Sequence, residues 1–159
     1  MNKYISYLKY IIEHKINVGI ECFKMGLYFH AFTHDLSKFL PSEFIPYAKF
    51  FYETNREKNY NTKDENNINF QKGWLFHQKR NKHHWNYWVS VTRKNEVIPI
   101  EMPTKYVKQM IADWNGMARK FGGSTSEYYL KNKGNMILHE KTIEKIEIIL
   151  KEEKRKEIL

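Results

Sequence analysis

Residues 103–123, PTKYVKQMIADWNGMARKFGG, carry the strongest helical pattern in the chain. Apolar side chains recur along this stretch every three or four residues, which is the spacing of one face of an α-helix. Pro103 suits the first turn of such a helix, and Gly122-Gly123 suits its end. Asp113 falls on the apolar flank, where an unpaired carboxylate is expensive to bury. The stretch therefore predicts a helix whose Asp113 has a buried partner.

Two further features of the helical pattern constrain the packing. Asn115-Gly116 is unusual inside a helix and indicates that a neighbouring element approaches closely there. The N-terminal segment also shows helical spacing, and it predicts one long amphipathic helix with Gly26 near its end. We expect its buried stripe to consist of Ile5, Leu8, Ile12, Ile16, either Gly19 or Ile20, Phe23 and Leu27.

The rest of the chain adds shorter helices and loops. A helix is predicted after Pro41, capped by Ser42 and carrying Pro46 in its first turn. Residues 53–69 are almost all polar and predict a mobile surface loop. Residues 70–90 predict one or two helices with aromatic faces, and residues 97–100 a short extended stretch. A final helix is predicted to run to the end of the chain, beginning near Ser126 or near Lys141. Residues 141–159 form its charged part. The pattern is typical of a solvated surface helix, and the alternative is a homodimer through its apolar residues Ile143, Ile146, Ile149 and Leu150.

The composition fits one all-α domain over residues 1–159. A chain of this length can bury a core without disulfides or structural metal. Hydrophobic residues make up 42% of it, which argues against a disordered chain, and no apolar run is long enough for a membrane span. Cys22 is the only cysteine, so neither an intramolecular disulfide nor a cysteine zinc site can form. With no signal-peptide pattern at the start, we expect a cytoplasmic protein without membrane contact.

The histidines and aspartates form an ordered set along the chain. His14 shares a helical line with Tyr7, Ile11, Val18 and Cys22, and the pair His34-Asp35 follows twenty residues later. Asp113 comes last, on the helix described above. A divalent metal that binds two imidazoles and two carboxylates would satisfy all four groups. The candidate ions are Mn²⁺, Fe²⁺, Co²⁺, Ni²⁺, Zn²⁺ and Mg²⁺, and the mixed imidazole and carboxylate donors favour a transition ion over Mg²⁺.

This order of residues resembles the HD-domain superfamily of metal-dependent phosphohydrolases. EHKINVGIECFKMG at residues 13–26 is similar to the first ligand helix of that superfamily, and THDLSKF at 33–39 is similar to its paired His-Asp motif. The resemblance implies a helical bundle of the HD type. It also implies that His14, His34, Asp35 and Asp113 are metal ligands and that Lys38 contacts phosphate. Ser37 stands where the superfamily commonly has glycine.

A second cluster, HQKRNKHHW at residues 77–85, lies where some HD-domain members carry histidines for a second metal, bridged by the paired aspartate. On a continuous helix His77 and His84 share a face, whereas His83 points about 100° away from His84. We therefore predict His77 and His84 as second-site ligands and His83 as a phosphate contact or proton donor. One bound metal and two bound metals both stay open.

Two classes of function are compatible with these patterns. The resemblance implies a phosphohydrolase in which a metal-activated water cleaves a phosphomonoester or phosphodiester of a nucleotide-like substrate, with Asp35, Lys38 and His83 as catalytic groups. Lys38, Lys79, Arg80 and Lys82 would bind the phosphate. The alternatives are a basic nucleic-acid-binding or interaction protein and a nucleotide-binding protein without catalysis. Residues 70–94, with six basic and no acidic side chains, support the first alternative.

Overall fold

The structure is a computed structural model that describes residues 2–52 and 67–158. Within these ranges the chain forms helices joined by short connections, with 3₁₀ turns at Leu36–Phe39, Trp85–Trp88 and Lys133–Asn135. The α-helices are α1 (Lys3–Lys24), α2 (Tyr28–Thr33), α3 (Pro41–Tyr52), α4 (Ile68–Arg80), α5 (Thr104–Phe121), α6 (Thr125–Asn132) and α7 (Glu140–Ile158). Two short strands, β1 (Val89–Val91) and β2 (Val97–Pro99), lie between α4 and α5.

Helices α1 and α5 form the central pair and cross at very close range. A Cβ atom on Gly116 would lie 2.5 Å from Val18 Cγ2 and 2.9 Å from the backbone N and Cα of Val18. Only glycine therefore allows the two backbones to approach this closely. This confirms the close approach that Asn115-Gly116 predicts. Gly122 ends α5 with a φ of 81°, as its position after the apolar pattern predicts.

The predicted buried stripe of α1 is wrong. The helix itself is present, but it buries the line of Tyr7, Ile11, His14, Val18 and Cys22. The apolar residues predicted to be buried instead face outward, with 38% to 58% of their surface exposed from Ile5 to Phe23. Helix α1 has two apolar faces, and α5 packs on the one that holds Val18. The number of apolar residues on a face therefore did not decide which face is buried.

Two helix starts also differ from the predictions. Helix α3 begins at Pro41, whose fixed φ suits a first turn, so Pro46 lies inside the helix and Ser42 is not its cap. Helix α4 begins at Ile68, where the Asn67 side chain accepts a hydrogen bond from the Phe70 amide. Residues 67–69 of the predicted mobile loop therefore belong to α4 and its cap, and residues 53–66 lie outside the described residues.

The strands β1 and β2 pair antiparallel, with Val89 opposite Pro99 and Val91 opposite Val97. They contain most of the predicted extended stretch at 97–100. The chain is otherwise helical in the parts described, so the all-α prediction is confirmed at that level. In residues 2–52 and 67–158, no helix combines the length and the apolar character that crossing a membrane requires.

The C-terminal region forms two helices that pack back on α5. Of the two predicted starts for the final helix, the one near Lys141 agrees with α7, whereas Ser126 lies in the separate helix α6. The apolar stripe of α7 does not offer the predicted dimer surface, because it packs inside this chain. Ile146, Ile149 and Leu150 belong to one buried cluster with α5 and α6. A second cluster joins α1, α3 and α4. The polar cluster described next involves helices from both regions.

Candidate metal centre

Four side chains from three distant segments of the chain direct a nitrogen or oxygen atom at one point. His14 Nε2 lies 3.1 Å from His34 Nε2, 3.2 Å from Asp35 Oδ2 and 3.3 Å from Asp113 Oδ1. His34 Nε2 is in turn 3.2 Å from Asp35 Oδ2 and 3.5 Å from Asp113 Oδ1. We call this group the first donor set. The structure thus brings together the four residues that the sequence proposed as ligands.

Three separate elements position the first donor set. His14 comes from the buried face of α1, and Asp113 from α5, which crosses α1 beside it. His34 ends α2, and Asp35 follows in the left-handed conformation with a φ of 53°. Aspartate is among the few residues that tolerate this conformation. The turn at Asp35 therefore directs two consecutive side chains, His34 and Asp35, into the same interior.

A second donor set lies on the other oxygen of Asp35. Asp35 Oδ1 is 3.5 Å from His77 Nε2 and 3.4 Å from His83 Nε2, and His84 Nε2 is 2.8 Å from His77 Nε2. Helix α4 ends at Arg80, because Asn81 leaves the helical conformation. The angle expected on a continuous helix therefore does not apply. The loop after α4 brings both His83 and His84 toward His77.

The geometry of both sets fits a bound divalent metal. Metal–ligand bonds of about 2.0–2.1 Å place neighbouring ligand atoms about 2.8–3.0 Å apart in octahedral geometry and about 3.3–3.4 Å apart in tetrahedral geometry. The distances within the first set, 3.1 to 3.5 Å, come close to this spacing. Within the described residues, Asp35 Oδ1, Asp113 Oδ1 and His83 Nε2 are buried and form no hydrogen bond. Buried polar atoms are normally satisfied, so these atoms fit a cation as their partner.

Two of the histidines are oriented by a second buried side chain. His77 Nδ1 lies 2.9 Å from Glu43 Oε2, and Glu43 is completely buried. When His77 Nδ1 carries the proton, its N–H group donates a hydrogen bond to this carboxylate. The lone pair of His77 Nε2 then points toward Asp35. His34 Nδ1 lies 3.2 Å from His30 Nε2 in the same way. His14 has no such partner among the described residues, and its ring stacks on Tyr10 instead.

The sequence patterns missed both of these supporting residues. His30 fits no motif, although its spacing of four residues before His34 is a usable signal on a helix. Glu43 gives no such signal. It lies in the first turn of α3, where acidic residues are common for reasons unrelated to metal binding. Only the packing of α3 against α4 shows that this carboxylate is buried against His77.

Charge in the centre is strongly coupled. Burial would raise the pKa of Asp35, but His34, Lys38 and His77 around it hold that pKa well below the usual range. Burial would lower the pKa of His34, but Asp35 and Asp113 raise it to about 9. Burial, together with the neighbouring His77, lowers the pKa of His84 to about 3. Burial would also raise the pKa of Asp113, but His34 and His14 hold it well below the usual range, so both aspartates attract positive charge to the centre.

The predicted phosphate-binding residues lie in different surroundings. Lys38 is buried, and its Nζ lies 2.5 Å from Asp35 Oδ2. Arg80 donates to Glu43 Oε1 and to Ser42 Oγ, so its guanidinium supports the carboxylate that orients His77. Lys79 and Lys82 are exposed. Lys82 Nζ lies over the ring of Tyr87.

The aromatic residues near the centre pack within the protein. The Trp74 ring is stacked on His77 and meets His84 edge-on. Trp85 and Trp88 are partly buried against the cluster that joins α5, α6 and α7. These contacts agree with a packing role for the tryptophans.

Comparison with known proteins places the chain in a family without giving it an activity. No curated protein matches the chain, and no solved structure matches it either. One family model matches residues 3–152, and its description is "Family of unknown function (DUF5662)". Since this match spans nearly the whole chain, including both donor sets, the chain belongs to the DUF5662 family.

Proposed function

We propose that this protein is a metal-dependent phosphohydrolase with a helical bundle of the HD-domain type, acting on a phosphomonoester or phosphodiester of a nucleotide-like substrate. The observation that carries the proposal is the first donor set, in which four donor atoms converge at 3.1 to 3.5 Å. The order of these residues in the chain is the order that resembles HD-domain enzymes. Mixed imidazole and carboxylate donors favour a transition ion.

The side chains of such a site have different roles. His14, His34, Asp35 and Asp113 hold one divalent ion. His77, His83 and His84, together with Asp35, would hold a second. When bound, the ions supply an activated water near neutral pH and polarise a phosphoryl oxygen. Lys38, next to Asp35, adds a fixed positive charge that stabilises the charge developing on phosphate.

The position of His83 changes the role we assign to it. Its Nε2 faces Asp35 Oδ1 in the second donor set, and burial holds its pKa well below the usual range. A neutral, buried imidazole suits metal ligation better than proton donation. We therefore assign His83 to the second set together with His77 and His84, and we keep Lys38 as the phosphate contact. Lys79 and Lys82 are exposed near the same loop and can contact more distant parts of a charged substrate.

Metal analysis by mass spectrometry on purified, tag-free protein is the test of this proposal. One or two equivalents of a divalent ion are expected for wild type and for His139→Ala, a histidine outside both donor sets. Asp35→Ala should lose the ions from both sets and all turnover in a screen of phosphomonoesters and phosphodiesters. A folded wild-type protein that takes up neither Mn²⁺, Fe²⁺ nor Zn²⁺ would refute the proposal. Tight nucleotide binding without product would indicate the non-catalytic alternative.

Glu43→Gln tests whether the second donor set depends on its supporting carboxylate. Loss of such a partner typically lowers metal affinity about 10- to 100-fold. We expect the second equivalent of metal to be weakened by this factor while the first is retained, as measured by competition with a chromophoric chelator. Equal weakening of both equivalents would contradict the assignment of Glu43 to His77. Glu144→Gln, at an exposed carboxylate on α7, is the control and should leave both equivalents unchanged.

A second candidate function has its own supporting observation. All six basic side chains of residues 70–94 are exposed: Lys72, Lys79, Arg80, Lys82, Arg93 and Lys94. A surface of this kind suits nucleic acid, whose binding weakens steeply with salt. Binding to single- and double-stranded DNA and RNA that falls with salt and is unaffected by chelators would favour this candidate. Binding that needs the metal would favour a nucleic-acid substrate for the phosphohydrolase.

A further inference from the structure

The outward face of α1 is a largely exposed apolar surface, and α2 contacts it at one end, where Phe23 meets Tyr28 and Phe32. We call it the outer stripe. Its side chains are between 38% and 58% exposed, and none of them is charged: Ile5, Leu8, Ile12, Ile16, Ile20 and Phe23. Single exposed apolar residues are ordinary, but a continuous row of six along one helix is not. The opposite face of the same helix is buried in the core, so α1 cannot rotate to hide the stripe.

The spacing of the outer stripe reads the same in both directions along the helix. The intervals between successive members are three, four, four, four and three residues. A two-fold axis at the midpoint would therefore place Ile5 opposite Phe23, Leu8 opposite Ile20 and Ile12 opposite Ile16 of a second, antiparallel copy. Such self-complementarity is what a two-fold interface requires, because one patch must match its own reverse.

The area of the surface also fits a dimer. The six side chains expose roughly 550 Å², near the upper limit for the largest apolar patch on a typical monomer. The Phe32 ring lies 5.9 Å from Phe23, and both Phe29 and Phe32 on α2 are more than two-thirds exposed. With the adjoining Phe32 ring the apolar area approaches roughly 700 Å² per copy. A stable interface buries about 800 Å² on each partner.

We propose that two copies of this chain associate through the outer stripe, with their α1 helices antiparallel. Residues 53–66 are chemically a poor alternative cover, since Tyr60 is the only large apolar residue among them. A second copy instead supplies six matching apolar side chains. This proposal does not depend on the metal centre.

Sedimentation velocity over a wide concentration range tests the association. Wild type is expected to sediment as a dimer, and Ile16→Glu is expected to weaken association at least 100-fold. Ile148→Glu, on α7, is the matched control because both isoleucines are 58% exposed. It should leave the dimer intact. Circular dichroism of each variant checks that it is folded. A wild type that stays monomeric at every concentration, or a dimer that Ile16→Glu leaves unchanged, would overturn the proposal.

Disulfide trapping tests the antiparallel arrangement. In a Cys22→Ser background, Ile12→Cys and Ile16→Cys proteins are mixed and oxidised. The antiparallel dimer predicts that the mixed disulfide forms faster than either self-pair. Faster self-pairing would indicate parallel helices and overturn the arrangement. A monomer that binds phosphatidylcholine–phosphatidylserine vesicles through the stripe would assign it to a membrane surface. A monomer whose stripe cysteines become reactive only after residues 53–66 are removed would assign it to that segment. Either result would overturn the dimer.

Discussion

The two faces of α1 contain similar numbers of apolar residues but have opposite surroundings. The outer stripe carries larger aliphatic side chains, yet it is exposed. The buried face mixes Tyr7, Ile11 and Val18 with His14 and Cys22, and all five are at most 3% exposed. The difference shows that burial followed complementarity to α5, where Gly116 makes room for Val18. Hydrophobicity alone would have selected the other face.

Gly116→Val should give the largest effect, because it removes the close contact between α5 and α1 on which burial of the Val18 face depends. The new side chain would overlap Val18, including its backbone atoms, so α1 and α5 would have to separate. We expect a loss of more than about 4 kcal/mol in the free energy of unfolding, enough to abolish folding in a marginally stable domain. Urea denaturation measures it. Gly134→Val, at a site with no atom within 4 Å of the added Cβ, is the control and should be tolerated.

Ile11 and Ile12 are adjacent isoleucines on the two faces, so their alanine variants compare the faces directly. Ile11 is fully buried, and Ile12 is 47% exposed. Ile11→Ala should lower the free energy of unfolding by about 2–5 kcal/mol. Ile12→Ala should change it by less than about 0.5 kcal/mol in protein dilute enough to be monomeric. Similar losses for both variants would contradict the orientation of α1.

His14→Ala tests whether the polar residue on the buried face links stability to metal. A ligand present at 100 times its dissociation constant stabilises the folded state by about 2.7 kcal/mol. We expect chelation to lower the melting temperature of wild type and of Ile12→Ala, and to leave that of His14→Ala nearly unchanged. Thermal denaturation with and without chelator measures this. An equal chelator response in His14→Ala would remove His14 from the metal centre.

The reactivity of Cys22 reports on the buried face of α1 through its pH dependence. This measurement uses the wild-type chain, so no change in stability is involved. Burial, helped by Asp113 and Glu21, raises the pKa of its thiol to about 12. Because the thiolate is the reactive form, alkylation of Cys22 at pH 8 should be at least about 10³-fold slower than that of an exposed cysteine. Its rate should rise about tenfold per pH unit toward pH 12.

The comparison for Cys22 is Ile16→Cys in a Cys22→Ala background, diluted until monomeric. Its thiol should titrate near the usual pKa of about 8.5 and react promptly at pH 8. Comparable rates at the two positions would show that the buried face opens readily or that α1 is rotated. The measurement is iodoacetamide labelling followed by mass spectrometry.

The candidate centre was predictable where its residues form a recognisable local pattern in the sequence. Two such patterns are the adjacent pair His34-Asp35 and the carboxylate of Asp113 on the apolar flank of α5. The structure brings these residues together with His14. The loop histidines His83 and His84 were seen, but their geometry was not, because it depends on where α4 ends. The role of Glu43 could not be predicted, because its partner His77 lies 34 residues away and no local pattern connects the two residues.

The sequence by itself determined the long helices α1, α5 and α7, because their apolar periodicity, and in α5 the proline and glycine boundaries, act over a few residues. It also determined which residue types could bind a metal. The tertiary structure decided which face of α1 is buried, how the two oxygens of Asp35 divide between two donor sets, and which side chains support the histidines. The physical reason is that these outcomes depend on close packing between distant segments. At the crossing of α1 and α5, the missing side chain of Gly116 mattered more than six apolar residues on the other face of α1.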